Sequence, residues 1–112
     1  MVKADAYGLG MTEVARALKD AGCATFYVAH LDEAVTLRAI VGPNPRIVCM
    51  HGPMPRTEKD FAQHRIIPVL STPQQIKAWR TFATAADVLI ESFVQVDTGM
   101  NRLGLTAREF DD

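Results

Sequence analysis

The sequence predicts an α/β fold in which about five strands of a parallel sheet alternate with four helices. Three observations support this prediction. Short apolar segments alternate along the 112 residues with stretches whose apolar residues recur at helical spacing. Glycine, proline and helix-capping residues separate these segments into units of roughly 22–25 residues. Strands that are separated by helices pair in parallel through right-handed crossovers.

Short-range signals define the elements of the first half. Thr12 stands at the start of an apolar stripe and is a suitable helix cap. Gly22 ends that stripe, where a glycine adopts the left-handed conformation easily. The predicted elements are, in order, a strand at Val2–Ala4, a helix from Thr12 to Gly22, a strand at Ala24–Ala29, a helix at Asp32–Val41 and a strand at Arg46–Met50.

The second half contains the clearest helix signal. Thr72 is the predicted N-cap, Pro73 takes the first helical position, and Gln75 follows three residues after the cap. Trp79 lies on the apolar stripe of this helix and is expected to pack in the core. The predicted elements are a short helix at Thr57–His64, a strand at Ile66–Leu70, a helix from Pro73 to about Ala86, a strand at Val88–Val96 and a loop at Asp97–Leu105.

Composition excludes several classes of protein. The formal net charge of -1 gives no attraction to nucleic acid or to an anionic membrane. No apolar run approaches the ~20 residues of a membrane span. Cys23 and Cys49 lie in apolar segments without a CxxC pattern, which favours buried free thiols, a cytoplasmic location and no structural zinc. The three histidines show no metal-ligand spacing, so no metal site is expected.

Two architectures fit this order of elements. One is an open doubly wound sheet, which needs about this length. The other is the first half or more of a (β/α)8 barrel, which needs ~250 residues to close. The chain begins as if within a strand and ends as if within the first turn of a helix, so we expect it to be part of a longer polypeptide. The pattern of elements leaves both architectures open.

The segment Val2–Gly10 (VKADAYGLG) places a lysine at the end of a predicted buried strand. Burying an ammonium group is costly unless the group is paired or neutralised. Catalytic groups of barrel enzymes lie at the carboxyl ends of the strands, where Lys3 would be. Tyr7 and two glycines would line the same rim. The alternative is a lysine that extends to solvent from a strand edge.

The segment Gln95–Gly104 (QVDTGMNRLG) repeats this arrangement. A strand ends in polar residues, a glycine turn follows, and Arg102 comes next. A guanidinium group at such a rim can bind a carboxylate through two parallel hydrogen bonds. A solvated arginine in an ordinary turn is the alternative.

Taken together, the two segments resemble the alanine racemases, which carry both motifs in this order about ninety residues apart. The segments Thr25–Ala29, Asp32–Ala34 and Ile67–Leu70 between them also resemble that family, so the resemblance covers essentially the whole chain. It implies that residues 1–112 are the N-terminal portion of a barrel domain that binds pyridoxal 5′-phosphate (PLP). It therefore favours a partial (β/α)8 TIM barrel over the open sheet.

The resemblance also implies roles for individual residues. Lys3 would hold PLP as the internal aldimine and act as one of two bases at the substrate Cα. Tyr7 would lie near the cofactor phosphate, and Arg102 would contact the phenolic oxygen of PLP and the substrate carboxylate. Met100 would direct its backbone N–H toward that carboxylate. Gln95 stands where many members carry a carbamylated lysine, so the anion that orients the arginine in those members is replaced by a neutral amide.

For the parent protein, the resemblance implies interconversion of L-alanine and D-alanine for peptidoglycan by a homodimer with shared active sites. The second catalytic base of the family comes from a β-rich C-terminal domain, which a chain of 112 residues does not include. We therefore expect the chain alone to be inactive. The alternatives are a PLP-binding barrel module without turnover, and a PLP barrel enzyme acting on another amino acid, such as ornithine, diaminopimelate or serine.

Overall fold

The computed structural model describes residues 1–111 and has the predicted α/β architecture. Helices and strands alternate along most of the chain. The elements are α1 (Lys3–Tyr7), α2 (Met11–Asp20), β1 (Thr25–Val28), α3 (Leu31–Val41), β2 (Arg46–Cys49), α4 (Glu58–Gln63), β3 (Ile66–Leu70), α5 (Pro73–Ala86), β4 (Phe93–Val94) and α6 (Ala107–Asp111).

The four strands form one parallel sheet in the order β1-β2-β3-β4. Sequential order in a parallel sheet means that every connection crosses over on the same side, as in a barrel. The backbone N–H of Val2 donates to the carbonyl oxygen of Tyr27 at 2.8 Å, so the N-terminal segment lies along the free edge of β1. The carboxyl ends of all four strands therefore meet at one edge of the sheet.

Apolar side chains cover both faces of the sheet, but unequally. The larger cluster lies between the sheet and the helices, and Phe61 of α4 and Trp79 of α5 meet there edge to face, with ring centroids 6.2 Å apart. The second face carries a small cluster of Val48, Ile67 and Val69. Alternate residues of a strand point to opposite faces, which places Ile47 in the first cluster and Val48 in the second.

The prediction of a strand at Val2–Ala4 is wrong. Val2 bonds to the edge of β1, but Lys3 and Ala4 belong to α1. The backbone turns directly after Lys3 into a left-handed helical turn, in which Ala4, Asp5, Ala6 and Tyr7 have φ values of 51° to 57°. A left-handed turn costs roughly 1–2 kcal/mol per residue for side chains other than glycine. Local sequence preference therefore does not produce this turn, and contacts with the rest of the fold have to hold it.

Two further boundaries differ from the prediction. The helix predicted to begin at Thr12 begins at Met11, and the N-cap is Gly10. The Oδ1 atom of Asp5 accepts a hydrogen bond from the Met11 N–H at 2.7 Å and so supplies the cap from the preceding turn. The predicted strand at Val88–Val96 is reduced to Phe93–Val94.

The two cysteines are free thiols in different surroundings. Cys49 is buried in β2, whereas Cys23 is partly exposed, so the prediction of two buried thiols holds only for Cys49. Burial raises the pKa of the Cys49 thiol to about 11, which keeps it protonated and unreactive at neutral pH. Among residues 1–111, no helix combines the length and apolar character required to cross a membrane.

Candidate functional site

A cavity of about 190 Å³ lies at the carboxyl-terminal edge of the sheet. Ala29 follows β1, Met50 and His51 follow β2, and Gln95 follows β4. Each of these residues lines the cavity, together with Met1, Lys3, Arg102 and Leu103. This edge is where barrel proteins and open parallel sheets both carry their ligands.

Lys3 lines the cavity because the chain turns sharply after it. Val2 is fully buried beside β1, and the left-handed turn of α1 then leads the backbone away from the sheet. Lys3 itself is half-buried. Its Nζ atom lies 6.0 Å from the centroid of the Tyr7 ring, within the range of a cation–π contact. The Lys3 amine and the Tyr7 ring therefore lie next to each other.

Arg102 reaches the same cavity from a loop that Asp97 folds. The Asp97 carboxylate accepts hydrogen bonds from the backbone N–H groups of Gly99 and Asn101, at 3.0 Å and 2.9 Å. These bonds, from Gly99 first and then Asn101, hold the pKa of Asp97 below its usual value. Gly104 closes the loop against the backbone of Gln95–Asp97, with no room for a Cβ. Lys3 and Arg102, far apart in sequence, thus line one cavity.

Gln95 connects the end of β4 to its surroundings. Its Nε2 atom donates to the carbonyl oxygen of Leu103 at 3.2 Å, and its Oε1 atom accepts from the Ser71 hydroxyl at 3.4 Å. Among residues 1–111, Arg102 donates no hydrogen bond to Gln95. Gln95 therefore positions the backbone next to Arg102 rather than the guanidinium group itself.

Tyr7 and Met100 lie further out. The side chain of Tyr7 is 63% exposed and that of Met100 is 73% exposed, and neither lines the cavity. Tyr7 is nevertheless close to Lys3, as its ring contact shows. The structure therefore brings Lys3 together with Arg102 and with Tyr7, but it leaves the Met100 side chain outside this group.

Sequence reasoning missed a pair of histidines at this edge. The Nδ1 atoms of His30 and His51 are 3.2 Å apart, and their rings meet edge to face. Each residue follows a strand, so the topology places both at this edge, but nothing in the sequence indicated direct contact across two strands. His51 also lines the cavity, so an imidazole lies in the same cavity as Lys3.

Sequence reasoning also assigned too small a role to Glu33. In sequence terms, Asp32 and Glu33 are most simply two acids placed favourably at the start of a helix, where they complement its dipole. The Glu33 carboxylate in fact accepts three backbone N–H bonds, from Ala4 at 2.7 Å, Ala29 at 2.8 Å and His30 at 2.9 Å. Although desolvation raises its pKa, the bonds from His30, Ala4 and Ala29 leave the pKa below its usual value. The carboxylate is therefore ionised at neutral pH and joins α1 to the end of β1.

The cavity is chemically suited to an anionic, planar ligand. Lys3 offers an amine that can form a covalent bond to an aldehyde, Arg102 offers a guanidinium group, and the nearby Tyr7 offers a hydroxyl donor. An aldehyde cofactor with a phosphate and a phenolic oxygen would find a partner for each group. The residues present thus fit PLP.

Comparisons with known proteins identify the family of the chain. The family model for the alanine racemase N-terminal domain matches residues 1–112. An alanine racemase of Brucella ovis is 46% identical over 111 residues, which are 99% of this chain and 28% of that protein. The chain therefore spans under a third of the length of that relative.

Solved structures give the same result for the fold. A structure of alanine racemase from Bartonella henselae with covalently bound pyridoxal phosphate superposes with a TM-score of 0.94 at 41% identity, covering 98% of this chain and 32% of that one. A histidine racemase from Leuconostoc mesenteroides superposes with a TM-score of 0.85 at 33% identity, covering 96% and 29%. The resemblance found in the two motifs is confirmed, and the chain belongs to the alanine racemase N-terminal domain family.

Proposed function

We propose that this chain forms the cofactor-binding part of a PLP-dependent amino-acid racemase, with Lys3 as the residue that binds PLP covalently. The observation that carries the proposal is the cavity shared by Lys3 and Arg102 at the carboxyl ends of the strands. When bound, PLP supplies an electron sink that stabilises negative charge at the substrate Cα. The protein's own contribution is to place a base and to bind the anionic groups.

Each residue has a distinct proposed role. The Lys3 amine anchors the cofactor and, once released by substrate, takes or returns a proton at Cα. Arg102 donates hydrogen bonds to the phenolic oxygen of the cofactor and to the substrate carboxylate, and Tyr7 donates its hydroxyl to the phosphate. The backbone N–H of Met100 faces the substrate carboxylate. The short distance from Lys3 to the Tyr7 ring and the fold of the Asp97 loop support these assignments.

For the whole protein we propose interconversion of L-alanine and D-alanine, which supplies D-alanine for peptidoglycan, in a cytoplasmic homodimer with shared active sites. Residues 1–112 then form the N-terminal portion of its barrel domain. The 46% identity to an alanine racemase over nearly the whole chain supports alanine as substrate. The histidine racemase with the same fold over this region favours a second candidate, a racemase for another amino acid.

Removal of Arg102 should weaken PLP binding about tenfold or more, because a hydrogen bond to a charged group contributes roughly 1.5–3 kcal/mol. Tyr7→Phe should weaken it less, since a single hydroxyl is lost. The measurement is a PLP titration of wild type, Arg102→Ala and Tyr7→Phe, followed by absorbance. Arg80→Ala is the matched control, because Arg80 is an exposed arginine of α5 that does not line the cavity. Equal affinities for Arg102→Ala and Arg80→Ala would remove Arg102 from the site.

The isolated chain should bind PLP without racemising alanine. A two-base route needs a proton-transfer group on each face of Cα, and Lys3 supplies one of them. The measurement is D-alanine formed from L-alanine by the PLP-loaded chain, determined by chiral chromatography, with an intact racemase as the positive control. D-alanine formed at a rate that scales with chain concentration, and that Lys3→Ala abolishes, would show that a second base is present, and His51 would then be the first candidate.

A further inference from the structure

The carboxylate of Glu33 joins two segments that are distant in sequence and adjacent in the fold. Its Oε1 atom accepts from the N–H of Ala4, and its Oε2 atom accepts from the N–H groups of Ala29 and His30. Ala29 and His30 lie at the carboxyl end of β1, and Ala4 directly follows Lys3. The first of these bonds therefore fixes the plane of the peptide bond between Lys3 and Ala4.

This peptide bond is the point where the backbone becomes left-handed. Four consecutive non-glycine residues, beginning with Ala4, have positive φ. A turn that is unfavourable at every residue persists only where its surroundings fix it. Asp5 fixes the far end through its bond to the Met11 N–H, and Glu33 fixes the near end, next to Lys3.

We propose that Glu33 is a positioning residue for Lys3, because it ties the Lys3–Ala4 peptide bond to the end of β1 and so directs the lysine into the cavity. This inference rests on the proposed function of Lys3. The low pKa of Glu33 agrees with it, since the carboxylate remains an acceptor at neutral pH.

A general charge effect at the start of α3 is the competing explanation, and Asp32 separates the two. Asp32 lies in the same first helical turn and carries the same charge. Among residues 1–111, however, its carboxylate accepts no hydrogen bond from α1, and only its backbone carbonyl oxygen accepts one, from the Thr36 hydroxyl. Asp32→Asn therefore removes a charge from the helix start and leaves the tether intact.

The test compares wild type, Glu33→Gln and Asp32→Asn in the full 112-residue chain. Glutamine keeps the shape of glutamate but offers one acceptor oxygen in place of two, so the bond to Ala4 or those to Ala29 and His30 must be lost. The first readout is amide hydrogen exchange at Ala4, Ala29 and His30, measured without PLP. The second is the rate at which PLP becomes bound to Lys3, followed by absorbance. Circular dichroism records the folded fraction.

In Glu33→Gln we expect amide exchange to be about tenfold to a hundredfold faster either at Ala4 or at both Ala29 and His30, as the loss of a hydrogen bond to a charged acceptor predicts. The rate of PLP attachment should fall at least about tenfold at an unchanged folded fraction. Asp32→Asn should match wild type in both readouts. Attachment at the wild-type rate in a folded Glu33→Gln variant would overturn the inference, as would unchanged exchange at all three amides.

Misfolding of the variant and failure of the wild type to attach PLP also bear on the inference. If Glu33→Gln does not fold, Glu33→Asp replaces it, because its carboxylate is one methylene too short to reach both segments. A folded Glu33→Asp that attaches PLP at the wild-type rate would equally overturn the inference. If the wild-type chain itself attaches no PLP, the proposed function fails and the role of Glu33 in it fails too. Exchange at Ala4, Ala29 and His30 then still shows whether the tether exists.

Discussion

Replacement of Lys3 by alanine should abolish covalent attachment of PLP. The chain has four lysines, and Lys3 is the one that lines the cavity at the strand ends. A cofactor bound through a lysine needs an amine held next to groups that bind the rest of the molecule, and Arg102 and Tyr7 provide these groups near Lys3. Absorbance of lysine-bound PLP should therefore disappear in Lys3→Ala.

Lys59→Ala is the matched control for this experiment. Lys59 is an exposed residue of α4 that does not line the cavity. We expect it to bind PLP as wild type does. Equal signals from Lys3→Ala and Lys59→Ala would mean that PLP reacts with exposed amines in general, and the proposed site would then be wrong.

Gly52→Ala should destabilise the chain by about 3 kcal/mol or more. Gly52 is buried with φ of +66°, and a Cβ there would lie 2.3 Å from the carbonyl oxygen of Val69 in the central strand β3. Left-handed strain in alanine contributes roughly 1–2 kcal/mol, and forced displacement of packed backbone contributes roughly 1–3 kcal/mol. Urea unfolding followed by circular dichroism measures the change in the free energy of unfolding.

Gly22→Ala separates these two contributions. Gly22 has φ of +90°, but a Cβ there would meet no atom within 4 Å. This variant should lose only the strain contribution, roughly 1–2 kcal/mol. If the free energy of unfolding fell by the same amount in both variants, the close approach between Gly52 and β3 would have no energetic consequence.

Because Gln75 donates to the carbonyl oxygen of His51 beside Gly52, Gly52→Ala should also disturb the cavity wall.

The elements with strong local signals were predicted well. The strand Ile66–Leu70 was predicted with its observed limits, because a short apolar run stands there between two predicted helices. All five of its residues are buried. The helix after Thr72 was also predicted correctly, and the Thr72 hydroxyl accepts from the Gln75 N–H at 3.1 Å as a cap does. The Gln75 side chain, however, bonds to the N–H of Ser71 instead of the cap residue.

The errors occur where distant contacts override local preference. The residues after Lys3 have no local reason to adopt left-handed φ, and the tether that stabilises this conformation comes from Glu33, about thirty residues later. The predicted strand at Val88–Val96 is apolar, yet Leu89 is fully exposed and only Phe93–Val94 pair with β3. In both places, the backbone conformation depends on contacts with a distant part of the chain, which the local sequence pattern does not show.

The candidate site was only partly predictable for the same reason. The two motifs placed Lys3 and Arg102 at strand ends, and parallel strands bring such ends to one edge, so their shared cavity follows from topology. The contact between His30 and His51 depends on the register of β1 and β2, in which Val28 faces Cys49. Register of this kind is set by pairing across the sheet and is not encoded in either strand alone.

The most direct test of the central claim is to identify the atom that carries PLP in the wild-type chain. The chain is incubated with PLP, reduced with borohydride, digested and mapped by mass spectrometry. Fragmentation has to separate Lys3 from the α-amine of Met1, because Met1 lines the same cavity. The account predicts that the label resides on Lys3. A label on Met1, or one spread evenly over Lys19, Lys59 and Lys77, would contradict it.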